Sequence, residues 1–326
     1  MIFHYVLRLF CLCLASFFLV NAAVGLTTAL ASRAAVRIAE TMRPRSAARF
    51  LFASRALPCA LGTVAVLALC VPSYLWLEPQ AFSERVGWAC LIFALLGAAG
   101  WCGSIARVAR ALAASVRFNR AWQRAGCETH LSGESSKAVI VENDLPLLAL
   151  VGLFQPRLFI SRAVLRSLSA EQLDLALQHE NAHRISRDNF KRLFLLIAPT
   201  PIPFFRGFSS LERCWARFSE WAADDAAVRG DSHRALSLAA ALLRVARMGA
   251  APGMSFLHSS LLAGDHDLSV RVGRLLRVRP LHAQPLPRGR SVAISSGLGV
   301  AVSIAVLLVW PATLSFVHRL LELFLH

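Results

Sequence analysis

The run His179-Glu180-Asn181-Ala182-His183 places two imidazoles four residues apart with a carboxylate between them. On an α-helix that spacing puts both rings on one face, where they can grip one metal ion with Glu180 beside it. Zinc used in catalysis takes three protein ligands and keeps a fourth position for water, whose pKa falls to about 7. A third ligand must therefore come from elsewhere. Glu220 and Asp224 are also four apart, in a stretch that reads as a helix, and so share a face. This reading assigns Zn2+ to His179, His183 and Glu220, and makes Glu180 the general base that takes a proton from water and passes it to the leaving amine. Asp224 would accept the distal N–H of a ligating histidine and set its tautomer. Asp188 has three readings: partner of a ligand histidine, cap of the next segment, or partner of an arginine. The plain alternative for Glu220 and Asp224 is a solvated acidic face.

Helices must carry these groups. Ser169 with Gln172 three residues on is a capping-box arrangement, predicting a helix through about Asp188. A second helix is expected from Ser209-Ser210 through about Arg229, and a third over 232–248. The Gly/Pro-interrupted stretch 249–290 contains a further helix at 267–278. Before them, 107–126 reads as a basic helix and 127–136 as a polar loop. Short strands are expected at 137–142, 147–151 and 157–160, giving a small sheet. Residues 193–205 are apolar, broken by Pro199, Pro201 and Pro203, and too short to span a bilayer. They belong either to a domain core or to a segment dipping into the cytoplasmic leaflet.

The composition is that of a membrane protein. Of 326 residues, 56% are hydrophobic and only 17% charged, with a mean hydropathy of +0.54, unlike a soluble enzyme. Stretches 9–32, 56–77, 86–106 and 291–317 contain no Asp, Glu, Lys or Arg, and each is long enough to cross roughly 30 Å of hydrocarbon as a helix. The expected fold is a mainly α membrane protein with four transmembrane helices and an α+β metallopeptidase-like domain inserted between helices 3 and 4. Its divisions are 1–106 for three spans, 107–290 for the polar domain, and 291–326 for the fourth span and a short tail.

Arginines orient it. Arg33, Arg37, Arg43, Arg45, Arg49 and Arg55 crowd the 32–55 connection, and Arg107, Arg110, Arg117, Arg120 and Arg124 follow the third span. The 78–85 connection has only Arg85 beside Glu78 and Glu84. The positive-inside rule places 32–55 and 107–290 in the cytoplasm, with 78–85 and both termini outside. Reading the first stretch as a cleaved signal peptide, with Ala29-Leu30-Ala31 as its processing site, would put the arginine-dense connection outside, so a retained span fits better.

The net charge of +16 suits a domain tethered to an anionic leaflet. No zinc-finger spacing, aromatic RNA-binding motif or clear helix-turn-helix supports direct nucleic-acid binding. Six of the eight cysteines lie in the apolar stretches and no C-x-x-C pair occurs, so a metal must be held by nitrogen and oxygen.

Taken together, Gly152-Leu-Phe-Gln-Pro156-Arg-Leu-Phe-Ile-Ser, Leu168-Ser-Ala-Glu-Gln-Leu, His179-Glu-Asn-Ala-His183-Arg-Ile-Ser-Arg-Asp188-Asn189 and Glu220-Trp-Ala-Ala-Asp224 resemble the BlaR/MecR family of bacterial membrane metallopeptidases, which are gluzincins. The resemblance implies His179, His183 and Glu220 as zinc ligands, Glu180 as catalytic base and Asp224 as the acid behind them. It also implies a protease domain on the cytoplasmic side of the inner membrane, cutting a cytoplasmic protein for which a transcriptional repressor is a candidate. A homodimer in the bilayer is compatible with it. Only nine residues follow 291–317, too few for the family's extracellular penicillin-binding sensor, so antibiotic sensing is not implied. A metzincin site would need a histidine where Asn189 stands. The alternative to an enzyme is a zinc-binding membrane transducer acting by partner contact. A transporter reading is opposed by the placement of His179 and Glu180 outside the apolar stretches. No residue is assigned to the oxyanion; His233, His258, His266 and several arginines are candidates.

Overall fold

The computed structural model describes residues 2–77, 87–130, 137–142, 146–153, 157–200, 206–248, 259–260 and 265–277. The N-terminal part is helical: α1 (Ile2–Glu40), α2 (Pro44–Ala65), a π-helical turn (Val66–Cys70), α3 (Val71–Leu77) and α4 (Trp88–Ala125). Pro44 sits at the start of α2, where its fixed φ suits a helix and its missing N–H costs nothing. Three stretches are long and apolar enough to cross a membrane: Phe3–Glu40, Pro44–Trp76 and Trp88–Arg124. The expected span at 291–317 and the 78–85 connection lie outside the described residues. The 39 residues of α1 reach about 58 Å, far more than roughly 30 Å of hydrocarbon, so this helix extends well beyond an apolar slab.

A five-stranded sheet follows, made of β1 (Gly126–His130), β2 (Lys137–Val141), β3 (Leu148–Val151), β4 (Arg157–Ser161) and β5 (Ser259–Ser260). Its order is β1-β2-β4-β3-β5, with β2 and β4 parallel and the other neighbours antiparallel. Residues 126–130, expected within a polar loop apart from Gly126, are strand instead. Cross-strand hydrogen bonding to β2 overrides their polar composition, which alone gives no strand signal. Alternation sorts the strands' side chains. Leu148, Leu158 and Ile160 face one core with Leu175, Leu238 and Leu242, while Ala149, Val151 and Phe159 face another with Phe118 of α4. The sheet thus lies between the end of α4 and the helices that carry the site.

Those helices are α5 (Arg162–Ser167), α6 (Ala170–Ser186), α7 (Asp188–Ile197), α8 (Arg206–Val228), α9 (Ser232–Arg247) and α10 (Asp265–Leu275). The capping box is present, Ser169 Oγ accepting from Gln172 N and Gln172 Oε1 from Ser169 N, both at 3.2 Å. The helix it starts stops at Ser186, because Arg187 adopts the left-handed conformation (φ 53°, ψ 42°). Asp188 therefore opens a new helix instead of closing the old one.

The described part of the 193–205 stretch continues α7 and then extends through Thr200. Phe194 and Ala198 pack with Phe17, Cys59 and Trp101, all from the apolar stretches. Asn21 Nδ2 donates to Pro199 O at 3.2 Å. This segment is part of the same packed layer as the long helices.

Helix α8 is fastened to the α1–α2 hairpin. Phe208, Leu211, Trp215 and Phe218 bury against Ala29, Ala39, Ala47, Ala48 and Leu51. The buried Arg55 guanidinium donates to Glu212 Oε1 at 2.7 Å and lies over the Phe208 ring. At the crossing, a Cβ on Gly207 would stand 2.6 Å from the Ala29 carbonyl oxygen. Gly207→Ala should therefore force α8 off α1 and cost about 1–3 kcal/mol, seen as a lowered thermal midpoint in detergent. An unchanged midpoint would mean that the crossing gives way freely.

Candidate metal centre

Helices α6 and α8 bring the polar residues of the site together inside the protein, where His179, Glu180, His183, Glu220 and Asp224 are all at most 3% exposed. The two ring Nε2 atoms of His179 and His183 are 3.2 Å apart. Glu220 completes a triangle, with Oε2 3.4 Å from His179 Nε2 and Oε1 3.5 Å from His183 Nε2. At those distances the rings do not hydrogen-bond the carboxylate well, and neither Glu220 oxygen has a hydrogen-bond partner although both are buried.

Each ring is held from behind. His179 Nδ1 lies 3.0 Å from Asp224 Oδ1, and His183 Nδ1 donates to Asp188 Oδ2 at 2.8 Å. Asp188 is itself gripped by Ser219 Oγ at 2.6 Å and Lys191 Nζ at 2.8 Å. Of the three readings for Asp188, it partners a ring and opens α7, and its cationic partner is a lysine. Asn189 donates to the carbonyls of Leu150 and Gly152 at 3.3 and 3.0 Å, tying α7 to the end of β3.

One central residue was not singled out in the sequence. Arg271 of α10 is buried and donates Nε to Asp224 Oδ2 at 3.0 Å and Nη2 to Oδ1 at 2.7 Å. Its Nη1 stands 3.3 Å from Glu220 Oε2, so one guanidinium braces both Glu220 and Asp224. The expected helix at 267–278 is the only signal that could have found it, since an arginine in a basic chain is unremarked without a fold. His233, a candidate for the oxyanion, instead stands exposed beside Glu171 at 3.2 Å. His258 lies outside the described residues, as does the side chain of His266.

Charge explains the titration behaviour. Burial would raise the Glu220 carboxyl, but the charge of His183, both rings' contacts and Arg271 hold it well below the usual range. Burial likewise opposes ionisation of Asp224, yet Arg271 and His179 keep it low. Asp188 is driven against burial to about 2 by His183 and Lys191. Burial would lower His183, but Glu220 and Asp188 lift it to about 10. His179 is raised too, against burial, by Asp224 and Glu220. Four buried carboxylates thus attract more positive charge than Lys191 and Arg271 bring.

These residues fit a divalent cation. A tetrahedral ion bonded at about 2.0–2.1 Å would hold its donors about 3.3 Å apart, close to the 3.2–3.5 Å between the two Nε2 atoms and the Glu220 oxygen nearest each, and one donor atom from each residue lies within 4.8 Å of the others. Both rings can present Nε2 because carboxylates engage Nδ1, and a cation would supply the charge that the cluster attracts. Removing a brace should be costly. Asp224→Ala leaves a buried guanidinium short of its bidentate partner, so denaturation should show a loss of about 3–5 kcal/mol. Asp225→Ala, which breaks the more exposed pair with Arg274, should cost under about 1 kcal/mol. Equal losses would contradict the assignment of Asp224 as the buried anchor.

A protein-family model described as BlaR1 peptidase M56 matches residues 86–275, more than half of the chain. No curated protein matches it.

Proposed function

The chain belongs to the M56 peptidase family, and on that premise we propose that it is an integral-membrane zinc endopeptidase that cleaves a cytoplasmic regulatory protein. The membership makes it a membrane metallopeptidase whose substrate is a protein. The observation that carries the finer reading is the convergence of His179 Nε2, His183 Nε2 and the Glu220 carboxylate at 3.2–3.5 Å.

These three groups would hold the ion. Bound there, zinc would act as a Lewis acid and lower the pKa of water to about 7. Asp188 accepts the Nδ1 proton of His183 and Asp224 Oδ1 stands 3.0 Å from His179 Nδ1, so each ring would be left with Nε2 to offer to the ion. Glu180 stands between the two histidines in sequence and is buried with them. Its carboxylate takes the proton of the attacking water and returns it to the amine nitrogen as the peptide bond breaks. Against burial, the charge of His183, the contacts of both rings and then Arg271 keep Glu220 ionised, which a donor carboxylate requires.

The orientation rests on the arginines of the 32–55 connection and of α4, which favour a cytoplasmic domain in a bacterial inner membrane. The packing of α7 and α8 against α1, α2 and α4 would keep the site close to the bilayer surface. A membrane-associated or membrane-delivered substrate, such as a repressor, suits that position.

Glu180→Gln should leave the metal content of the purified protein unchanged while proteolysis falls by roughly 100- to 10,000-fold. Full activity in that variant would overturn the general-base role, and signalling without cleavage in cells would point to a contact-driven transducer. Asp188→Asn should weaken metal binding by about 10- to 100-fold, read by competition against a chelator. An unaltered affinity would remove Asp188 from the account.

A further inference from the structure

A cleft of about 530 Å³ opens beside His183, between the end of β3 and the corner where α6 turns into α7. Leu150, Gly152, His183, Arg184, Arg187 and Phe190 line it. Both arginines share the lining of this cleft with His183. Arg184 is anchored through Nε to Asn181 Oδ1 at 3.0 Å. Arg187 is exposed, and neither forms an ion pair with a carboxylate among the described residues. The acid in the cleft wall, Asp188, is already satisfied by His183, Lys191 and Ser219. The charge that the cleft offers a ligand is therefore positive.

The backbone adds a second, independent observation. Arg187 is one of two non-glycine residues with positive φ among the described residues. It occupies the left-handed position that ends α6, where glycine is the usual residue and an L side chain is disfavoured. Glycine suits that backbone conformation better than arginine. The Arg187 guanidinium at the cleft wall gives the side chain a use.

We propose that Arg184 and Arg187 form an acidic-residue subsite, so that the preferred substrates are peptide segments with an Asp or Glu side chain close to the scissile bond. This rests on the peptidase reading above and names its substrate class. A guanidinium and a carboxylate make paired, charge-assisted hydrogen bonds, which neutral side chains do not reproduce. Phe190 and Leu150 supply apolar walls for the neighbouring part of the chain.

The test uses full-length protein in detergent and a set of fluorescent peptides that differ only in carrying Glu, Gln or Lys at one scanned position. Binding is followed by anisotropy in the Glu180→Gln background, where no turnover interferes, and cleavage is followed in parallel with otherwise wild-type protein. At one or two adjacent positions the Glu peptide should bind roughly tenfold more tightly than its Gln counterpart, and the Lys peptide more weakly still. Adding Arg187→Gly should shrink the Glu-to-Gln ratio to about twofold or less. Glycine suits the backbone at 187, so this variant should fold at least as well as its parent. Arg184→Gln should reduce the ratio as well. Equal binding of Glu and Gln peptides at every position, or a ratio untouched by Arg187→Gly, would overturn the subsite even if the wild type cuts peptides. Absence of cleavage by the wild type, with the ratio intact, would instead overturn the peptidase reading.

Discussion

Two histidines can share a cation only if each turns an unprotonated ring nitrogen toward it, and here a carboxylate at each Nδ1 leaves Nε2 for that task. Asp224 comes from α8 and Asp188 from the first turn of α7, so the two rings are fixed by different elements. The site is consequently as well defined as the joint between α6, α7 and α8. The left-handed turn at Arg187 makes that joint: a straight continuation of α6 would carry Asp188 past His183 instead of folding it back onto the ring. Ser219 and Lys191 then hold the carboxylate in place, and Arg271 does the same for Asp224 and Glu220. Asp188, Asp224 and Glu220 each have cationic neighbours that favour the ionised form despite burial.

The second dependence runs into the helical layer. Helix α8, which carries Glu220 and Asp224, is packed along much of its length on α1 and α2, and Gly207 allows the closest approach. The segment after α7 is tied to the same helices through Phe194, Ala198 and the Asn21 amide. The donor triangle is thus built on a floor of long apolar helices. The helix that carries Glu220 is therefore held directly by the α1–α2 hairpin.

The parts of this arrangement that could be read from sequence are those set by local rules. The His-Glu-x-x-His spacing, the Glu220–Asp224 spacing and the Ser169–Gln172 cap depend on helical periodicity alone. Three of the apolar stretches depend on hydropathy alone. What escaped the reading depends on tertiary structure. Residues 126–130 are polar, and only pairing with β2 makes them a strand. Nothing in the types of residues 184–190 announces that Arg187 turns left-handed where glycine would be expected. Arg271 is distant in sequence from both acids it braces, and one arginine among many basic residues carries no signal until α10 is docked. His233 shows the converse: a residue type suited to the chemistry is carried by α9 to an exposed place beside Glu171.

The account stands on one divalent ion held by His179, His183 and Glu220. The most direct measurement is zinc quantitation combined with X-ray absorption spectroscopy on gently extracted, full-length protein. The account predicts one zinc per chain with two imidazole nitrogens and a carboxylate oxygen at about 2.0–2.2 Å, and a spectrum that changes when Glu220 is replaced by Gln. Metal-free protein after zinc supplementation, or bound zinc whose spectrum is indifferent to residue 220, would contradict it.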